Sequence, residues 1–179
     1  MNEVTFIILI IIIVCILALI YAIYYNNFQK YLIKINEVES KIDITLRQRY
    51  DLLDKAAGFL KEHIKEEVMT DLSSLKDMDI SNFDLERKLI AITKEFYSIK
   101  IAHRNLVKLD SFINIDFTLR ENEAELEGYT SYYNDCISKF NRLARMFPSN
   151  IVAKIAKFKE KTFYDGKDMT DEKVDDFKL

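Results

Sequence analysis

The chain has 179 residues, 31% charged and 49% apolar, and a net charge of −3, which leaves no basic surplus to imply nucleic acid. Three glycines and one proline fall far below the usual roughly 7% and 5%, so folds rich in strands and tight turns are excluded in favour of long helices with few loops. Two cysteines, Cys15 and Cys136, make no disulfide framework and agree with a reducing compartment.

Residues 4–25 read VTFIILIIIIVCILALIYAIYY, without a charge, a glycine or a proline. Val4 opens this run and Tyr25 closes it, and the nearest charges are Glu3 and Lys30. A helix of about 20 such residues crosses a hydrocarbon core of about 30 Å. Lipid forces the helix, because only a helix satisfies its own backbone there, and so the many isoleucines do not argue for a strand. Tyr21, Tyr24 and Tyr25 stand where an aromatic belt meets the headgroups. The alternative of a cleaved signal peptide fits less well: Glu3 stands where a basic residue belongs, the apolar core exceeds about 15 residues, and no small-residue pair follows. The run is expected to be an uncleaved anchor in the lipid bilayer. Lys30, Lys34, Lys41, Arg47 and Arg49 follow it and no Lys or Arg precedes it, which predicts a single-pass protein of the cell membrane with its N-terminus outside and the rest in the cytoplasm.

From Phe28 apolar residues recur in steps of three and four: Phe28, Tyr31, Leu32, Ile35, Val38, Ile42, Leu46, Tyr50, Leu53, Ala57, Leu60, Ile64, Val68, Leu72, Leu75. This is one stripe on one helix, continuous with the anchor. Residues 76–82 (KDMDISN) read as the first turn, with Ser81 capping a second helix and Asp84 three residues on. That helix is predicted to run to about Asp110, with His103 on its apolar side. Residues 110–116 read as a weak break, and a third helix runs from about Asp116 to Phe147, stopped by Pro148. Ser149 or Asn150 can cap a short fourth helix over residues 151–161, whose Lys154, Lys157, Lys159 and Lys161 suggest either lipid or, on the expected geometry, packing at the far end of the bundle. The expected fold is all-α: an N-terminal transmembrane helix over residues 1–27, an antiparallel up-and-down bundle of three long helices plus a short C-terminal helix over residues 28–164, and a charged, disordered tail over residues 165–179.

Tyr133-Asn134 and Phe140-Asn141 lie two helical turns apart, which predicts an aromatic row filling the bundle seam beside an asparagine row that bridges helices. Asp43 and Arg47 have the spacing of a helix-surface ion pair, and Arg49 and Asp51 are expected in surface or interhelical pairing. Here the chain resembles the LemA family. Tyr132-Tyr133-Asn134, Phe140-Asn141, Phe147-Pro148-Ser149-Asn150-Ile151-Val152-Ala153, Phe158 and Phe163-Tyr164 resemble its C-terminal signature. Tyr25-Asn26, the block IDITLRQRYDLL from Ile42, and Glu123 resemble its first half. Two departures stand: Asp54-Lys55-Ala56-Ala57 replaces the family's usual Pro-Asn-Leu-Val, and Thr130 replaces an arginine. The resemblance implies a single-pass membrane protein with a helical-bundle domain, no cofactor and no established biochemical activity.

Enzyme motifs are missing. His63 and His103 are preceded at the third position by Leu60 and Lys100, so the Glu-x-x-His pattern of di-iron bundles is absent. There is no Gly-x-Ser-x-Gly, no phosphate loop and no His-Glu-x-x-His. No catalytic, cofactor-binding or metal residue is expected, and no small-molecule substrate. The expected role is a scaffold or protein-interaction module with an unidentified protein partner or self-association. The alternative is an adaptor or accessory subunit of a membrane enzyme or protease, and a hydrolase of unrecognised type comes third.

Overall fold

The computed structural model describes residues 3–64, 68–75 and 81–164, and these contain helix, turn and loop with no strand. The helices are α1 (Glu3–Ile64), α2 (Asp71–Leu75), α3 (Asn82–Ala102), α4 (Asp110–Arg145) and α5 (Ser149–Ala156), with a 3-10 turn at Leu106–Lys108. The all-helical class is the one the sequence predicts. The tail at residues 165–179 and most of the predicted first turn, residues 76–80, lie outside the described residues.

The apolar run continues past Tyr25 without a break, since α1 is one helix of 62 residues. Its surroundings change along its length. Large apolar side chains from Val4 to Ile23 are exposed, whereas Phe28, Ile35, Val38, Ile42, Leu46, Leu53 and Leu60 are buried. The first part is long and apolar enough to cross a membrane, and none of it is buried against protein.

Several boundaries differ from expectation. The apolar stripe does not end on one helix: Leu72 and Leu75 are buried on the separate α2, and Met69 before it turns the chain with a left-handed φ of 56°. Its backbone N–H donates to Glu95 Oε1 at 2.8 Å, which ties the turn to α3. The break after the second helix comes earlier, because His103 leaves helical geometry (φ −115°, ψ 70°) and Leu109 is extended. His103 therefore ends α3 instead of joining its core, and Asp110 opens α4 with an acidic first turn that suits a helix N-terminus. The predicted cap of α3 is present: Ser81 Oγ accepts from the Asp84 N–H at 3.1 Å and donates to the Asp84 carboxylate at 2.8 Å.

The chain divides into two compact units. In the first, Met1–Glu37 with Tyr133–Phe163, the core joins Phe28, Ile35, Cys136, Ile137, Phe140, Val152 and Ala153. Phe28 meets Phe140 edge-on at 5.4 Å and stacks on Phe158 at 4.7 Å, and Phe158 also lies 5.7 Å from Tyr25. This corrects the expectation that the basic helix folds onto a far end. α4 carries Phe140 to Phe28, just beyond the apolar run, and α5 follows it there. α5 also ends sooner than predicted, with Lys157 in the left-handed conformation at its C-terminus. Ser149 is no cap: its hydroxyl donates toward the carbonyls of Leu143 and Met146 and so fastens α5 to the end of α4.

The second unit, Val38–Tyr132 with Tyr164–Leu179, packs α1, α3 and α4 through Phe96 stacked on Phe112 at 5.3 Å and Phe59 at 6.0 Å from Phe112. Lys100 Nζ bonds both oxygens of Asp116 at 2.7 Å and links α3 to α4.

Phe28 is fully buried against the rings of Phe140 and Phe158, so Phe28→Ala is expected to destabilise the chain by about 3–5 kcal/mol, the usual loss for a buried aromatic truncated to alanine. Ile101 is 74% exposed, and Ile101→Ala is expected to stay within about 0.5 kcal/mol. Denaturant midpoints of the detergent-solubilised chain measure both.

Candidate functional site

The described residues of the second unit place a charge inside the protein. Arg49 is 3% exposed, and its Nε donates to Asn122 Oδ1 at 3.0 Å. Asn122, itself buried, turns its amide N–H₂ to the Thr45 carbonyl at 2.9 Å. One amide thus holds α1 at two points from α4. Burial pulls the guanidinium below its ordinary pKa, and Glu123, Glu86, Tyr97 and Tyr164 oppose that shift. A guanidinium stays charged regardless, so the two carboxylates act as its counter-charges within the unit.

Each carboxylate is held by a tyrosine. Tyr97 Oη donates to Glu123 at 3.2 Å, and Tyr164 Oη donates to Glu86 at 2.5 Å. Burial first, and Glu123 second, push the Tyr97 phenol from 10.0 up to about 12. The Lys100 ammonium and the Arg120 guanidinium lie 5.9 and 6.0 Å from the centre of the same ring.

Arg49 and Glu123, two of the residues that carry the family resemblance, are therefore brought into one polar cluster. The Asp43–Arg47 pair is present at 3.0 Å and exposed. Asn141 does not bridge two helices as expected: it donates to the Lys161 carbonyl at 2.7 Å and accepts from the Lys161 N–H at 2.8 Å, in the segment beyond α5. Asn134 is half-buried. Asn122, Tyr97 and the Tyr164–Glu86 pair are not singled out by sequence reasoning. A signal for Asn122, and for the buried place of Arg49, exists: Ile42, Leu46, Arg49 and Leu53 follow steps of four, three and four, and Leu119, Asn122 and Leu126 follow three and four, so both polar residues fall on core faces.

The cluster's chemistry is that of a closed structural network. A groove of about 590 Å³ lies beside it, lined by Gln48, Asp51, Lys55, Glu121, Asn122 and Glu125 among others. These side chains do not converge on a metal: among the described residues no group of three or more His, Cys, Asp or Glu could hold one.

An all-helical protein with a buried arginine–carboxylate network and an exposed apolar N-terminal helix is the class this geometry defines. The chain belongs to the LemA family, whose family model matches residues 38–176. Searches of curated proteins and of solved structures find no match.

Removing the guanidinium strands the buried Asn122 and the facing carboxylates, so Arg49→Met is expected to cost about 3–5 kcal/mol. Arg49→Lys keeps the charge but loses the Nε donor, and a loss of about 1–3 kcal/mol is expected. Chemical denaturation of the solubilised chain reads both.

The Tyr97 phenol gives a pH dependence. Below pH 10.0 folded and unfolded chains both keep its proton, and its contribution is present in full. As pH rises from 10.0 to about 12 the unfolded chain releases the proton first, so stability falls across that window. The difference in denaturation midpoint between the wild type and Tyr97→Phe is expected to shift against the wild type over this range and to be flat below it.

Proposed function

We propose that the protein is a membrane-anchored helical module that acts by binding other proteins and carries out no catalysis. The observation that carries this reading is α1 itself: one unbroken helix passes from an exposed apolar run into a packed domain, with no linker between them. The lysines and arginines that follow the run favour a single pass with the N-terminus outside and the domain in the cytoplasm. Within the second unit, the contacts Lys41–Tyr129, Arg49–Asn122 and Phe59–Phe112 advance along α1 while receding along α4. That supports an antiparallel α1–α4 pair. The short connection from Ala102 to Asp110 supports a second antiparallel pair between α3 and α4. α1 and α3 then run the same way, so the order is not a simple alternation.

A protein partner needs apolar surface. Ile101, Val107, Leu109, Ile113 and Phe117 are all exposed around the α3–α4 connection, and Phe117 is 57% exposed. Exposed apolar groups concentrated in one place mark interaction surfaces. The same surface favours the second reading, an adaptor or accessory subunit of a membrane enzyme or protease. A photo-crosslinking residue at Phe117 separates the two in native membranes: recovery of one enzyme supports the accessory role, and recovery of the chain itself supports a scaffold.

Topology is tested first. Ser131 is exposed, and Ser131→Cys in a Cys136→Ser background offers a reactive thiol. In intact cells it is expected to resist a membrane-impermeant maleimide and to react after lysis. Labelling in intact cells, with a cytoplasmic control unlabelled, would place the domain outside.

A further inference from the structure

The core of the first unit uses only one side of α5. Val152 and Ala153 are buried, while Phe147 is 78%, Ile151 49% and Ile155 63% exposed. Ile151 and Ile155 sit four residues apart and form an exposed apolar row on α5, and Phe147 adds an exposed ring from the α4–α5 turn that precedes it. Lys154 stands between Ile151 and Ile155 and is exposed. Residues 142–161 hold six basic residues and one acidic residue, Glu160, and that carboxylate is taken by Arg145.

Ring contacts set the level of this row. Phe158 lies 5.7 Å from Tyr25 and stacks on Phe28. Tyr24 lines a groove of about 480 Å³ together with Met146, Phe147 and Ser149. Tyr24 and Tyr25 are the last residues of the apolar run, and Phe28 is only about 4.5 Å further along the helix axis. The exposed row therefore lies where the run ends.

We propose that the face bearing Phe147, Ile151 and Ile155 seats in the headgroup–acyl boundary of the bilayer that α1 spans, with Lys154, Lys157 and Lys159 on anionic phospholipid headgroups. This rests on the reading of residues 4–25 as an anchor. Tethering favours this occupant over a protein, because the anchor holds the face beside lipid at all times. An apolar row flanked by lysines is also the composition of helices that lie in a membrane interface.

The chain has no tryptophan, so single Trp variants report their own surroundings. Phe147, Tyr21 and Tyr132 are all exposed aromatic positions, where Trp leaves the packing intact. Each full-length variant is reconstituted into vesicles of phosphatidylcholine and phosphatidylglycerol, with and without brominated phosphatidylcholine. Tyr21→Trp reports the anchor and Tyr132→Trp reports solvent. Emission of Phe147→Trp is expected to be blue-shifted and to fall about twofold with brominated lipid, as for a side chain at interfacial depth. Adding Lys154→Glu and Lys157→Glu, or omitting phosphatidylglycerol, is expected to reverse much of that quenching. Quenching of Tyr21→Trp with Phe147→Trp behaving like Tyr132→Trp would overturn the proposal and leave the anchor standing. A blue shift of Phe147→Trp without quenching would mean that protein, such as a second copy, covers the face, and would also overturn it. No quenching of Tyr21→Trp would remove the anchor reading and the proposal with it.

Discussion

A guanidinium taken out of water costs several kcal/mol unless hydrogen bonds and counter-charges replace its hydration. Arg49 meets that demand with Asn122 at 3.0 Å and with Glu123 and Glu86 nearby. The demand reaches outward from one side chain. Asn122 fixes α4 against α1, and Glu123 brings in Tyr97 on α3. Glu86 brings in Tyr164, beyond α5 in sequence. Apolar side chains of similar volume can slide past one another at small cost, whereas this network is satisfied in one register only. The aromatic stack of Phe59, Phe96 and Phe112 supplies bulk in the same unit, and the network selects which packing is adopted.

The first unit solves a different problem with few polar bonds. Its core is a set of rings around Phe28, closed by Val152 and Ala153 of α5. Two hydrogen bonds between Asn141 and the Lys161 backbone hold the segment after α5. Cys136 is buried within this core, 1% exposed, so its thiol serves packing. The exposed side of α5 and the exposed α3–α4 connection both carry large apolar side chains that neither core covers.

Much of the architecture was legible because helical periodicity and the scarcity of glycine and proline speak directly about local structure. The continuity of α1, the cap at Ser81 and the Asp43–Arg47 pair all depend on residues close in sequence. What failed depends on residues far apart. The break at His103 has no glycine or proline to announce it, and the chain passes there into a 3-10 turn whose Leu106 is buried. The location of α5 beside Phe28 follows from the path of α4, which periodicity along one helix does not specify. The polar cluster was half legible: Arg49 and Glu123 stand out through the family resemblance, but an arginine reads as surface until its place on the buried face of α1 is counted out. Its partner Asn122 lies 73 residues away.

The absence of any joint between Tyr25 and Phe28 makes α1 a lever. Twenty-two apolar residues span about 33 Å, slightly more than a typical hydrocarbon core, and such a helix leans when the bilayer thins. The ring cluster is built on the same helix a turn further on, so it inclines by the same angle. Were this helix to span a bilayer, a change in bilayer thickness would become a change in the attitude of the first unit toward the membrane plane, with no flexible tether to absorb it.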